Sequence, residues 1–406
     1  MTRNDWFGVP PEGWSSASLG HYFEVVLGKM LNARKDTGDG SPAPYLAAGS
    51  IQPEHLILDE TKMMSFSEEE LVQYELRKHD IVVVEGGAGY GRSHLLGSDL
   101  PGWGFQNHVA RLRASGAVAP GFLLYCLKAC LASGYIEANN RTATLPSLSR
   151  DVLRSIRVPV PPLEEQHAIA HYLDRETARI DTLIEEQQRL LVLLQERREA
   201  EADSLLGSPS QARHTTVKRV LRALSRPAVS GLGVVTAYRD GVVTLRSNRR
   251  EEGYTFSNTE SGYQEVRPGD LVFHALDGFA GAVGVSDSHG NATPVYHVCE
   301  AIAGDHLPYV ALLLRYLGRS GFLATQAPNV RERSVDFRNW SMFGRLPLAL
   351  PPVVEQRRVA AHLDAHAAKV DTLIAETKWF IELARERRAA LITAAVTGRI
   401  DVREVA

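Results

Sequence analysis

Cysteine is scarce: Cys126, Cys130 and Cys299 are the only three in 406 residues, and no two form a C-x-x-C pair. Such a set excludes a disulfide framework and a zinc knuckle, and points to buried thiols. Long apolar runs are missing as well. No window approaches the roughly 20 apolar residues of a membrane span, and Met1-Thr2-Arg3-Asn4-Asp5 lacks the charged-then-apolar plan of a signal peptide. The expectation is a cytoplasmic protein with no membrane partner. Signatures of catalysis are absent too. The run Gly86-Gly87-Ala88-Gly89-Tyr90-Gly91-Arg92 has Arg92 where a dinucleotide fingerprint needs glycine, and no G-K-[ST] occurs, so the run reads as a hairpin turn. His167/His171 and His362/His366 stand four apart, yet Ala168 and Leu363 follow where H-E-x-x-H needs its acid, so they read as solvated helix histidines. Glu60-Thr61-Lys62 and Glu376-Thr377-Lys378 lack the upstream Pro-Asp of a metal nuclease, and no [DN]-P-P-[YF] methylation tetrapeptide is present. No catalytic residue, metal site or bound cofactor is expected.

What the chain does have is a repeat. Pro161-Pro162-Leu163-Glu164-Glu165-Gln166 returns as Pro351-Pro352-Val353-Val354-Glu355-Gln356, and the copies stay in register through Leu173-Asp174 and Leu363-Asp364, Asp181 to Ile184 and Asp371 to Ile374, and Glu196 to Arg198 and Glu386 to Arg388. The separation far exceeds a solenoid period of ~20–50 residues, so one ancestral half is duplicated in tandem. The globular parts match in plan. Asp80-Ile-Val-Val-Val and Asp270-Leu-Val-Phe-His read as strands introduced by an acid and closed by glycine-rich turns. Apolar helices over 121–133 and 309–319 follow, each ended by Ser-Gly-aromatic. After a polar, arginine-bearing loop comes a short apolar strand and then the double proline. The division expected is a first globular domain over 1–160, a long helix over 161–206, a second globular domain over 207–350 and a second long helix over 351–406.

Ile169, Leu173, Ile180, Leu183, Leu190 and Leu194 recur at three-, four- and seven-residue steps, and Val359, Leu363, Val370, Leu373, Phe380 and Ala384 repeat the stripe. An apolar line of that period wants a partner helix, and two copies in one chain can supply it to each other as an antiparallel pair. The fold class predicted is α+β: two globular domains and two long antiparallel coiled-coil helices, related by a pseudo-two-fold tandem duplication.

Charge is uneven. Residues 207–350 carry 16 Lys and Arg against 12 Asp and Glu, whereas 161–206 carry 5 against 11. A basic face on a globular part can coexist with acidic helices that meet another protein. Arg and Asn match guanine and adenine edges in the major groove, so the candidate readers of double-stranded DNA are the loop residues Asn139, Asn140 and Arg141 in the first half and Asn329, Arg331, Arg333 and Arg338 in the second. Arg92, Asn248, Arg249 and Arg250 join them, with Lys29, Arg34 and Lys35 as phosphate holders.

The ordered plan resembles the DNA specificity subunit of type I restriction-modification enzymes. The resemblance rests on Pro161 to Gln166 with the helix to Arg198, Pro351 to Gln356 with the helix to Arg388, the opening Val9-Pro10-Pro11-Glu12-Gly13-Trp14 and the closing Val396-Thr397-Gly398-Arg399-Ile400-Asp401-Val402. It implies that each globular domain reads one half of a bipartite, asymmetric site and that the helix pair sets the spacer. It implies two methyltransferase subunits docked on the helices, with restriction subunits joining them, and S-adenosylmethionine, ATP and Mg only on those partners. Residues assigned to the helix pair and its docking face are Pro162, Glu165, Gln166, Leu173, Asp181 and Leu183, with Pro352, Glu355, Gln356, Leu363, Asp371 and Leu373. The competing expectation is a coiled-coil scaffold presenting two ligand- or protein-binding domains without DNA readout. The second half departs from the family plan in lacking a P-x-G-W opening; Ser208-Pro209-Ser210-Gln211 stands there instead.

Overall fold

The computed structural model describes residues 5–402 apart from 31–39, 54, 60–61, 117, 140–146, 250–261, 303, 327–329 and 332–333. It divides into two compact units, Met1–Gln187 with Trp379–Ala406, and Gln188–Lys378. Both mix strands and helices.

The first unit is built on a four-stranded antiparallel sheet in the order Phe23–Leu27, Val109–Ala114, Ile81–Val84, Ser93–Leu95. All four residues of Ile81–Val84 are buried, which is why that strand reads as an unbroken apolar run rather than an alternation. The helix Pro120–Ala132 buries Phe122, Leu123, Cys126 and Leu127 in the same core as Ile81, Val83 and Leu112. The second unit repeats the arrangement with Leu221–Ala223, Tyr296–Ala301, Leu271–His274 and Val283–Val285, covered by the helix Leu307–Arg319. Its opening, which lacks the P-x-G-W motif, still forms the matching strand: Arg213–Thr216 pairs with Pro347–Leu350, as Ser15–Ser18 pairs with Arg157–Val160. Backbone pairing there needs no particular side chain, so the motif can vanish while the strand stays. All three cysteines are buried thiols, as expected, and burial holds each above the ordinary thiol range.

The acid that introduces each central strand closes a tight turn. Asp80 Oδ2 accepts from Arg77 N at 2.7 Å and the carboxylate takes the Arg113 fork at 2.7 and 2.8 Å. Asp270 accepts from Arg267 N at 2.7 Å and pairs with Arg226, a residue of a different segment. The turn requires a left-handed residue, supplied by Gly269 (φ 94°) in one unit and by His79 (φ 70°) in the other.

The long helices are Leu163–Leu206 and Val353–Val396, each 44 residues. Within each unit they run antiparallel. In the first unit Arg388 meets Asp181, Nε to Oδ1 at 2.8 Å; in the second Arg198 meets Asp371 at 2.8 Å and Glu201 meets His362 at 2.6 Å, so rising numbers on one helix face falling numbers on the other. The Arg388–Asp181 and Arg198–Asp371 pairs are the same pair of repeat positions, made once in each unit.

The seam differs from the stripe read in the sequence. Covered positions on the first helix are Gln166, Ala170, Leu173, Thr177, Ile180, Ile184, Gln187, Leu191 and Leu194, a strict alternation of four and three. Gln356, Ala360, Leu363, Ala367, Val370, Ile374, Thr377, Ile381 and Ala384 repeat it on the second. Leu183 (44% exposed), Leu190, Leu373 (47% exposed) and Phe380, expected inside, face outward. The heptad was right and Leu173, Ile180, Leu194, Leu363, Val370 and Ala384 lie in the seam as expected, but Ile184, Leu191, Ile374 and Ile381 take the covered positions next to the four that face outward, and Thr177, Gln187 and Thr377 are covered as well. Thr177 and Thr377 fit because each hydroxyl donates back to its own helix, to Leu173 O and Leu373 O, both at 2.7 Å.

The double-proline motif has a mechanical reason. Gln166 is buried; its Nε2 donates to Pro161 O at 2.9 Å and its Oε1 accepts from Ala119 N at 2.9 Å, at the start of the helix Pro120–Ala132. Gln356 does the same with Pro351 O (2.9 Å) and His306 N (2.8 Å), and also donates to Asp305 Oδ1 at 2.8 Å. One amide thus clamps each long helix to its globular part. Gln166→Leu or Gln356→Leu leaves a buried N–H and a buried carbonyl unpaired, at a cost of about 2–3 kcal/mol in urea denaturation, against ~0.5 kcal/mol or less for Glu165→Ala.

His274 ends its strand with Nδ1 accepting from Leu276 N (3.2 Å) and Asp277 N (3.0 Å), and burial holds its pKa below the ordinary value. Burial lowers His297 likewise, and its Nε2 lies 2.7 Å from Phe337 O. The unfolded chain therefore binds these protons more readily than the folded one. Stability should be flat above about pH 6.5 and fall as the pH drops below it. Urea midpoints measured from pH 7.5 to 5 should show that slope, and His274→Asn, which keeps an acceptor that does not titrate, should flatten part of it.

Candidate nucleic-acid interface

In both units the residues just past the expected arginine-bearing loop are bonded to the end of the central strand, beside its glycine turn. In the first, the turn around Gly87–Gly89 joins Ile81–Val84 to Ser93–Leu95 as the expected hairpin, and Leu148 N, just past residues 140–146, donates to Glu85 O at 2.8 Å. In the second, Phe337 N, just past 327–333, donates to Ala275 O at 2.9 Å beside the turn Gly278–Ala280. Glu85 and Ala275 are equivalent repeat positions. A strand end, a glycine turn and the flank of a basic loop therefore meet in each unit, and backbone hydrogen bonds fix that meeting whatever side chains the loop carries.

The sequence-derived readers fall into three groups. Arg34, Lys35, Asn140, Arg141, Arg250, Asn329 and Arg333 lie outside the described residues, and for Asn139, at the end of Tyr135–Asn139, and Arg331, in the strand Val330–Arg331, only the backbone is described. Arg92 sits on the turn after Gly91 (φ 76°), half-buried, with Nη1 3.4 Å from Gln52 Oε1. Asn248 ends the short turn Arg246–Asn248 and donates to Thr244 Oγ1 at 2.8 Å.

The third group is committed to carboxylates. Lys29 donates to Glu70 (2.6 Å) and to Ser65 O (2.7 Å) and lies 5.3 Å from the centre of the Phe66 ring; that hydrogen bond draws Glu70 below the usual carboxylate range. Lys29 thus anchors the Ser67-capped helix Glu68–Gln73 and is not a free phosphate ligand. Arg249 pairs with Asp240 at 2.6 Å and lies 4.8 Å from the centre of the Tyr238 ring. Arg338 is forked on Asp336, two residues away, while remaining mostly exposed. Such an exposed pair is weakly held and can be exchanged for phosphate. Sequence reasoning missed Arg239, held by Asp277 at 3.1 Å on the glycine turn of the second unit; its place next to Asp240-Gly241 marked only a turn.

A second surface lies on the long helices. Besides Leu183, the first unit exposes Trp379 (68%), Phe380 and Leu383; the second exposes Leu190, Val192, Leu193 and Leu373. Leu183 and Leu373, Leu190 and Phe380, and Leu193 and Leu383 are equivalent repeat positions, so the outward apolar stripe is itself duplicated. Pro162 and Pro352 are exposed at the helix starts, and Glu355 is drawn below the usual carboxylate range by its hydrogen bond to Arg358.

Among the described residues no group of three or more His, Cys, Asp or Glu could hold a metal ion. His167 and His171 are exposed; His362 is tied to Glu201 and its ring stacks on that of His366. No helix among the described residues is long and apolar enough to cross a membrane.

Comparison with known proteins agrees with this arrangement. The family model described as type I restriction modification DNA specificity domain matches residues 11–192. The type I restriction enzyme EcoKI specificity subunit of Escherichia coli is 22% identical over 90% of this chain and 84% of its own length. The MjaVIII specificity subunit of Methanocaldococcus jannaschii is 21% identical over 40% of this chain, a match spanning 36% of that relative. Among solved structures, a chain from a study of complex assembly and conformational transition of the type I R-M system aligns over 97% of this chain and 100% of its own with a TM-score of 0.69 at 16% identity. The HsdS subunit from Thermoanaerobacter tengcongensis aligns over 96% and 98% with a TM-score of 0.59, also at 16% identity. A duplicated frame with a clamped helix in each half, a domain model matching residues 11–192 and similarity along most of the chain make the protein similar to the specificity subunits of type I restriction-modification systems.

Proposed function

We propose that this chain is the non-catalytic, cytoplasmic DNA-reading subunit of a type I methyltransferase and restriction complex. Each globular domain reads one half of a bipartite, asymmetric duplex site, through the loops at 140–146 and 327–333 and their glycine turns. The helix pair sets the spacer between half-sites and docks two methyltransferase subunits, with S-adenosylmethionine, ATP and Mg carried by partners. The observation that carries the reading is the pairing of an invariant frame with variable rims. The amide clamp, the Arg–Asp pair and the sheet are made identically in both units, whereas the loops and turns that could touch a base differ. Two unlike rims on one frame suit an asymmetric site.

In complex with its methyltransferase subunits, the chain should bind one bipartite duplex with an affinity that falls by about a thousandfold between roughly 50 and 200 mM salt. Inserting one base pair in the spacer should abolish binding. Arg331→Ala with Arg333→Ala should relax recognition of one half-site by about 1–3 kcal/mol and leave the other unchanged. Equal binding to all duplexes, or no effect of the double substitution, would instead support a scaffold without DNA readout.

The outward stripe gives a separate prediction. Trp379→Ala with Leu383→Ala should weaken capture of a methyltransferase subunit by at least about 2 kcal/mol, as expected for a large aromatic anchor, while leaving the melting temperature of the free chain within ~1 °C because both side chains are exposed. Co-purification and calorimetry measure the two quantities.

A further inference from the structure

In the second unit a cavity of about 440 Å³ lies where the helix Leu307–Arg319 meets both long helices. That size falls within the range of small-molecule sites, roughly 300–1,000 Å³. Arg315 lines it. The side chain runs against two left-handed glycines: a Cβ on Gly241 (φ 91°) would stand 2.8 Å from Arg315 Nη1, and one on Gly281 (φ 97°) 3.4 Å from its Cγ. Among the described residues its guanidinium has no hydrogen bond or ion pair, and its Nε is shut off from solvent. Three of the charged pairs around it are closed: Arg319 pairs with Glu199, Arg198 with Asp371 and Asp240 with Arg249. Burial, reinforced by Arg319 and Arg198, pushes the Arg315 guanidinium down to about 10, the response of a cation lacking a counter-charge.

Two more residues of the lining narrow the ligand. Asp203 and Asp364 have carboxylates without a hydrogen bond or ion pair among the described residues. They repel an extended polyanion such as a run of duplex phosphates, yet they accept from the donor groups of a smaller molecule. The cavity is also not part of the duplicated machinery. At the matching position of the helix Pro120–Ala132 stands Lys128, 5.8 Å from the centre of the Tyr125 ring, and Ala132 replaces Arg319.

We propose that this cavity binds a small phosphate-headed molecule with hydrogen-bond donors at its other end, the chemistry of a nucleoside monophosphate. Its phosphoryl oxygens take the fork of Arg315, and its donors face Asp203 and Asp364. Guanidinium and phosphate are geometrically matched for paired hydrogen bonds. The ligand would touch the globular part and both long helices of that unit at once.

The test is thermal unfolding and calorimetric titration of the full chain with AMP and, separately, with inorganic phosphate. AMP should bind saturably and raise the unfolding temperature of the second unit by roughly 5 °C at about a hundredfold excess over Kd. Phosphate alone should need at least a tenfold higher concentration. Arg315→Met should abolish the AMP response and, without ligand, melt at a higher temperature than the parent chain, because a half-buried unpaired charge has gone. Ala367→Glu, which puts a carboxylate on the cavity wall, should weaken AMP at least tenfold with Arg315 intact. The proposal is overturned by a parent chain that gives no saturable response, by equal affinity for AMP and phosphate, by a response that survives Arg315→Met, or by Arg315→Met melting below the parent.

Discussion

The buried amides of Gln166 and Gln356 fix how a long helix leaves its globular part. Each satisfies the first N–H of a core helix and the carbonyl of the first proline of its own motif, so three chain segments share one side chain. A helix of 44 residues amplifies any error at its base, and a rise of about 1.5 Å per residue carries even a small angular change a long way. A glutamine is well suited here because it presents a donor and an acceptor from one planar group, which neither glutamate nor leucine can do.

Much of the frame was legible from the repeat. The acid before each central strand, the glycine turn, the apolar helix closed by Ser-Gly and the double proline all mark real elements, because each is punctuated by a residue whose backbone chemistry allows little else. The seam was legible in period and misread in part of its membership. Hydrophobicity alone cannot choose Ile184 over its neighbour Leu183 or Leu191 over Leu190, and it passes over Thr177, which the return bond to Leu173 O makes acceptable inside. The opening strand of the second half was hidden for the opposite reason, since Arg213-His214-Thr215-Thr216 pairs through its backbone and carries no apolar signal.

The candidate readers were the least legible. Sequence shows that an arginine is present, and the structure shows whether its charge already has a partner. Lys29 is tied into its fold by Glu70 and a ring, whereas Arg338 and Arg239 hold exposed carboxylates that solvent and salt compete for. Arg315 sits in an apolar helix where its neighbours Leu313 and Leu314 are core, so a one-dimensional reading treats it as the polar side of an amphipathic stripe. Its isolation from carboxylates is a three-dimensional fact, created by Asp240 turning to Arg249 and Glu199 to Arg319.

The threonines of the seam carry one more implication. Thr177 and Thr377 occupy non-equivalent positions of the repeat, Ala367 and Gln187 being their counterparts, and both keep their hydroxyls on their own backbone. A coiled coil usually fixes its alignment by burying a polar group that demands a mate across the interface. These two threonines make no such demand, and alignment is set by the Arg–Asp contacts and by the amide clamps at the ends. Excised as bare peptides, the two rods would keep their shared periodicity yet lose the information that says which level of one belongs beside which level of the other.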